Sequence, residues 1–377
     1  AATVFSRSST ICMPTQHKRI LVIGSGFGGL GAACRLQARG YDVTILEARD
    51  QPGGRAYVYR QDGFTFDAGP TVITAPFLID EIFEAAGRKT GDYVKIVPVD
   101  PFYKIAFHDG RSFAYNNRPE EIEAHIRAFA PGDLDGYHRM IARTKAIFEK
   151  GFLELGDKPF LKFSDMLRVA PDLIRLQSHK SVAQFVSHYI KDPMLQRVFS
   201  FHPLLVGGNP FQTTSIYALI HHLEKQWGVH YAMGGTGKLV EAMVRLFTDL
   251  GGKLHLSTPV REILLTPDRK VRGVETTRGK VFEADGVVSN ADVANTYRKM
   301  IPASARRRNT DRRLEGRRYS MSVVVSYFGT RKRYPEIAHH TIILGERYQG
   351  LLDDIFNKKL LVDDFSLYLH RPSATDP

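Results

Sequence analysis

Cysteine is nearly absent. Only Cys12 and Cys34 occur in 377 residues, one in the N-terminal tail and one on a predicted helix. Two such positions give no disulfide framework, so the interior of a cell is the expected setting. Long apolar runs are missing as well. The longest, such as SVVVSYF at 322–328, fall far short of the roughly 20 residues that span a bilayer, and a soluble or peripheral protein is expected. There is no internal repeat and no low-complexity block. Acidic residues are lacking from the first 19 positions, which are rich in Ser and Thr. Such a tail over 1–17 reads either as a targeting (transit) remnant, which would allow a plastid, or as upstream translated sequence before Met13. What is plentiful is positive charge, a net +12. That excess suits nucleic acid, an acidic ligand or an anionic membrane. No nucleic-acid motif is visible, so no nucleic-acid partner is expected. No metal-ligand set is expected either. With 43% hydrophobic and 24% charged residues the composition is globular, and the length allows two domains.

Ile20–Ile23 is a continuous apolar run, as a buried parallel strand requires. Gly24, Gly26 and Gly29 then supply G-x-G-x-x-G at a strand-to-helix turn. Gly24 permits the tight turn, Gly26 lets backbone approach a pyrophosphate, and Gly29 lets helix pack on strand. The helix N-terminus offers free N–H groups and a positive dipole end to the phosphates. A second strand, Val43–Leu46, ends at Glu47, about 20 residues on, where a carboxylate grips a ribose hydroxyl. Glu47 disfavours a 2′-phosphate and hence NADP. A second glycine pair, Gly53 and Gly54, precedes Arg55, whose guanidinium matches phosphate oxygens in a fork. Asp67, Gly69, Pro70 and Thr71 follow. A nicotinamide domain has no use for this second clamp, which points to a flavin dinucleotide. A plain structural turn and an exposed loop arginine are the alternatives.

This whole stretch resembles the flavin amine oxidase and carotenoid desaturase superfamily. GGRAYVY, GFTFDAGPTVIT, FHPLLVGGNPFQTTSIYALIHHLE, GGTGKLVEAMVRLF, VVSNADV and DFSLYLHRPSATDP are similar to the bacterial and fungal type of phytoene desaturase. The similarity runs from about Lys18 to Pro377. It implies FAD as the redox cofactor and conversion of phytoene to more conjugated carotenes, lycopene or a shorter product. It also implies phytoene and related carotenes as partners, together with a peripheral membrane surface and oxygen or quinone as electron acceptor. Backbone groups at Val260 are implied to meet the adenine, and Asn290 to lie near the flavin edge. A core valine and a turn asparagine remain the plain alternatives. Members of the family carry a further glycine-rich flavin motif near the C-terminus. The sequence reaches Pro377 without it, so a truncated chain is expected.

The expected fold class is α/β, a Rossmann-type FAD-binding domain interleaved with a mainly helical substrate domain. The first is assigned to 18–100 and 231–298, the second to 101–230 and 299–377. A hairpin is expected around Asp109-Gly110, a helix over Leu239–Leu250, and one strand over Leu254–Leu265. Aromatic and aliphatic segments in the insert suit either a hydrocarbon tunnel or a plain core. Seven arginines, Arg306, Arg307, Arg308, Arg312, Arg313, Arg317 and Arg318, fall within thirteen residues. They read as a solvated face or as a contact to anionic lipid.

Desaturation needs a hydride acceptor, which a flavin supplies, and a group to take a proton. Asp165 and Arg168 are candidates, three apart on a short helix that Ser164 can cap and Pro171 interrupts. A surface ion pair is the alternative. Glu224 and His202 are weaker candidates. Carotenoid isomerisation, amine-oxidase-like chemistry and non-catalytic prenyl-lipid binding stay open as other functions of such a chain.

Overall fold

The computed structural model describes residues 18–376. The tail at 1–17, with Cys12, lies outside the described residues. The chain forms two compact units. The first runs to Thr71 and adds Phe77–Ile96 and Ala232–Arg318; the second holds Val72–Pro76, Val97–Tyr231 and the chain from Tyr319 onward. The last crossing thus falls after Arg318 rather than at 298, and the arginine run belongs to the first unit.

In the first unit four parallel strands lie in the order Gly286–Ser289, Arg19–Ile23, Asp42–Leu46, Lys253–His255. The apolar runs of the two central strands follow from burial on both faces. Leu21, Val22, Ile23, Val43, Ile45 and Leu46 are all buried, each contributing about 1.5–3 kcal/mol. The helix Phe27–Ala38 buries Gly29, Leu30, Ala33 and Cys34 and packs on the helix Thr236–Asp249. A smaller antiparallel sheet, Val260–Leu265, Val271–Thr276 and Val281–Glu283, completes the unit. Leu21, Ile23 and Leu46 share one core cluster with Ile263, Val274 and Ala284. The single strand expected over Leu254–Leu265 is therefore two strands in two sheets. Ser257 adopts φ +48 and Pro259 lacks an N–H, so the ladder breaks between them.

The second unit is helical but has its own mixed sheet, in the order Leu367–His370, His340–Leu344, Tyr103–Phe107, Ser112–Tyr115. The expected hairpin turns at Gly110, φ +86. Helices at Pro119–Phe129, Leu134–Phe148, Phe163–Arg175, Val182–Tyr189, Pro193–Ser200 and Leu219–Trp227 accompany it. The core is aromatic: Tyr103, Phe113, Phe185, Phe199 and Phe201 are buried. No described helix is long and apolar enough to cross a membrane.

Candidate functional site

At the carboxyl end of the parallel sheet, Gly24 takes φ +90, and its N–H donates to the Leu46 carbonyl at 2.8 Å. A Cβ on Gly29 would lie 2.1 Å from the Gly24 carbonyl oxygen. Only glycine permits this approach of helix to strand. The helix starts after Gly26, and no side chain caps it. Its first N–H groups therefore face outward with no side-chain acceptor, as an anion site requires. The second glycine pair is pressed onto this turn. The Gly53 N–H donates to the Ser25 carbonyl at 3.1 Å, and a Cβ on Gly54 would lie 3.1 Å from the Gly26 Cα. Gly53 and Gly54 both have positive φ. Thus the close approach of Gly54 is to the first turn itself. Arg55 emerges beside it, exposed and without an ion pair or hydrogen bond among the described residues.

Glu47 is buried at the end of its strand. Its Oε2 accepts from the Ser25 N–H at 2.8 Å and the Ser25 hydroxyl at 2.6 Å, and its Oε1 accepts from the Arg49 N–H at 2.9 Å. The carboxylate is thereby fixed against the glycine turn, with lone-pair capacity left on Oε1. Asn290, which ends the strand Gly286–Ser289, is exposed and lies over the same turn. Its amide is 2.9 Å from a Cβ on Gly26 and 2.6 Å from one on Gly28. Val260 opens its strand, packed against the core cluster. Two residues before it, the Thr258 N–H donates to the Glu47 carbonyl at 2.7 Å.

Asp67 has a role that its sequence context did not disclose. It accepts from the N–H groups of Thr236 at 3.1 Å and Gly237 at 2.9 Å, at the start of the helix Thr236–Asp249. Burial pushes its pKa up, against these two donors. A Cβ on Gly235 would sit 1.8 Å from the carboxylate. The only advance signal was a pair of small-residue stretches, DAGP and GGTG, far apart in the chain. Gly69 lies 2.5 Å, measured from a Cβ, from the Ala56 Cα. The Pro70 carbonyl accepts from the Thr236 hydroxyl at 2.6 Å, and Thr71 is half-buried.

In the second unit Glu224 and His202 meet. Glu224 accepts from the Tyr103 hydroxyl at 2.7 Å and bonds the His202 Nε2 at 3.0 Å. Next to them the Tyr115 hydroxyl bonds His221 Nδ1 at 2.9 Å, and His221 Nε2 donates to the Phe199 carbonyl at 2.7 Å. Glu224, His202 and His221 are buried. Burial, then the Glu224 charge, holds the Tyr103 pKa well above its ordinary value. Burial, then His202, holds that of His221 well below. This network ties helix Leu219–Trp227 to the sheet, and losing one partner of such a buried charge costs about 3–5 kcal/mol.

Asp165 and Arg168 are not an ion pair. Asp165 Oδ2 accepts from the N–H groups of Leu161 at 3.1 Å and Lys162 at 2.9 Å, capping the helix in place of Ser164. Oδ1 has no partner among the described residues, and Arg168 is exposed. The helix also runs through Pro171 to Arg175 rather than stopping there. In the arginine run, Arg306 is an exception to exposure. Its side chain is only 5% accessible and pairs with Asp311 at 2.7 Å.

A family model described as flavin containing amine oxidoreductase matches residues 27–355. The chain is 51% identical over 360 residues to a lycopene-forming phytoene desaturase of Pseudescherichia vulneris, covering 96% of this chain and 73% of that protein. It is 49% identical to a lycopene-forming enzyme of Pantoea ananas, over 95% of this chain and 73% of that one. A neurosporene-forming relative from Rhodobacter capsulatus is 41% identical, over 95% and 69%. The chain belongs to the phytoene desaturase family of flavin-dependent oxidoreductases. Solved structures share the fold at lower identity. A Pyrococcus furiosus protein superposes with TM-score 0.55 at 19% identity, over 80% of this chain and 66% of that one. Putrescine oxidase does so with 0.52 at 18%, over 76% and 61%. This family member is thus an FAD-dependent oxidoreductase, and its residues fit that cofactor. An uncapped helix N-terminus and a free guanidinium supply donors, and the fixed Glu47 carboxylate supplies an acceptor, beside two tightly packed glycine turns, as a dinucleotide requires.

Proposed function

We propose that this protein desaturates phytoene to more conjugated carotenes. The identity to lycopene-forming phytoene desaturases carries the substrate, and the glycine cradle with Arg55 carries the cofactor site. FAD, when bound, supplies a two-electron hydride acceptor. The chain's own groups do the rest. N–H groups after Gly26 and the Arg55 guanidinium hold the pyrophosphate. Glu47 Oε1 takes a ribose hydroxyl, and Asn290 adds an amide beside the phosphates. The Val260 backbone would hold the adenine. Gly69, Pro70 and Thr71 support the second turn. Asp165 Oδ1 would accept the proton that leaves the carbon next to the hydride donor, and Arg168 lies on the same helix. Oxygen or a quinone would be the electron acceptor.

We place the protein inside the cell at a membrane surface, where a hydrocarbon substrate resides. Leu161, Phe163, Leu167 and Ile174 are 81%, 78%, 59% and 66% exposed on and before one helix. Such an apolar stripe supports insertion at the lipid boundary. The test is an anaerobic spectrum of flavin-loaded protein mixed with phytoene-loaded liposomes. The flavin bands bleach and conjugated carotene bands appear. Intact flavin bands with unchanged phytoene would overturn this reading.

A further inference from the structure

Three histidines in the second unit have no part in the proposed reaction. His340 and His370 are cross-strand partners in the antiparallel pair His340–Leu344 and Leu367–His370, and His339 precedes the first. His339 and His340 are buried and His370 is half-buried. One ring nitrogen from each lies within 4.8 Å of the other two. The Nε2 atoms of His339 and His370 are 3.0 Å apart. Two of the rings are anchored through the opposite nitrogen. His339 Nδ1 is 2.6 Å from the Thr375 hydroxyl, and His340 Nδ1 is 2.7 Å from the Tyr368 hydroxyl. With Nδ1–H donated to oxygen, Nε2 keeps its lone pair. His340 Nε2 is buried and has no hydrogen-bond partner among the described residues.

We propose that His339, His340 and His370 bind one divalent transition-metal ion of the zinc class. Zinc takes imidazole nitrogens at about 2.0–2.1 Å in a tetrahedral shell, which sets ligand atoms about 3.3 Å apart. The three ring nitrogens already lie within 4.8 Å of one another, so binding draws them together by up to about 1.5 Å. An oxygen acceptor on the far nitrogen of a ligating histidine fixes tautomer and ring orientation, and the Thr375 and Tyr368 hydroxyls fill that place here. Neutral imidazoles select zinc, cobalt, nickel or copper over magnesium and calcium. Burial of His339 and His340 favours their neutral forms. On binding, the His370 ring proton moves from Nε2 to Nδ1, so no net proton is released. The ion joins the two strands to the turn at Pro372–Ala374 that carries Thr375. Three protein ligands leave the fourth position open to solvent.

The test uses the whole protein, stripped with chelator and titrated with cobalt(II) alone, then zinc. One equivalent of cobalt gives the intense visible bands of four-coordinate geometry, zinc abolishes them, and the melting temperature climbs with zinc concentration. His340→Gln and His370→Gln lower affinity by about 100-fold or more, and Thr375→Val by about 10-fold. Should a histidine variant fail to fold, the wild-type cobalt spectrum and stoichiometry decide alone. Absent bands with substoichiometric binding overturn the site. So do folded variants that bind cobalt as the wild type does, since surface histidines would then be the ligands.

Discussion

Arg55 and Glu47 flank one turn, yet their loss has different consequences. Arg55 is exposed and unpartnered among the described residues, so Arg55→Ala leaves the flavin-free fold intact. Only the charge-assisted bond to phosphate goes, about 1.5–3 kcal/mol, or about 10- to 100-fold in FAD affinity. Glu47 accepts three hydrogen bonds from its own chain. Glu47→Gln turns an amide donor toward the Ser25 or Arg49 donors and lowers flavin-free stability by about 1–3 kcal/mol, besides weakening FAD. Flavin fluorescence titration beside melts of the flavin-free protein separates the two. A drop in flavin-free melting temperature for Arg55→Ala, with FAD affinity intact, would contradict the assignment. Cys34 makes a simpler case. Burial pushes its thiol up to about 12, and the thiolate is the reactive form. In a Cys12→Ser background the native protein therefore stays unreactive to a thiol reagent at pH 8 and reacts fully once unfolded. Rapid native labelling would show that the helix Phe27–Ala38 opens from its partner.

The helix Phe163–Arg175 carries two separable claims. Its apolar stripe is exposed, Phe163 and Leu167 lying one turn apart. Phe163→Glu with Leu167→Glu is expected to cut liposome binding about 10-fold or more, even at salt that screens the arginine run. Unchanged binding would hand the membrane contact to Arg307, Arg308 and their neighbours. Asp165→Asn addresses the chemistry. As a cap alone it is worth about 1 kcal/mol; as the base its loss slows flavin reduction by phytoene about 10²-fold. Single-turnover reduction at matched flavin occupancy is expected to show the larger effect, and a normal rate would leave Asp165 as a cap. The spacing of Asp165 and Arg168 was legible in the sequence, and their lack of pairing was not. A carboxylate at the third helical position has backbone donors within reach before any side chain, and that local competition decides its geometry.

Across the whole molecule, legibility follows sequence separation. The first strand, glycine turn, helix and Glu47 could be read because each depends on neighbours within about one βαβ unit. The sheet of the second unit could not be read, because His340–Leu344 takes its place in it beside Tyr103–Phe107, far away in the chain, as well as beside Leu367–His370. Likewise Glu224 and His202 looked like stray acid–base groups until the fold joined them to Tyr103, 121 residues from Glu224. That buried network dictates an acid response. His221 faces Tyr115, His202 and the Phe199 carbonyl, and burial holds its pKa well below the ordinary value. The unfolded chain takes up this proton below about pH 6.5 while the fold refuses it. Stability is thus complete above that pH and declines as pH falls, by up to about 1.4 kcal/mol per pH unit for each such group. His339, His340 and His370, also held neutral, add to the decline. His221→Gln retains a donor for Phe199 but cannot protonate. It lowers stability at pH 7.5 yet removes about one proton from the slope between pH 6.5 and 5. Urea unfolding of both proteins across that range measures the difference. An identical slope would mean that His221 already carries its proton in the folded state.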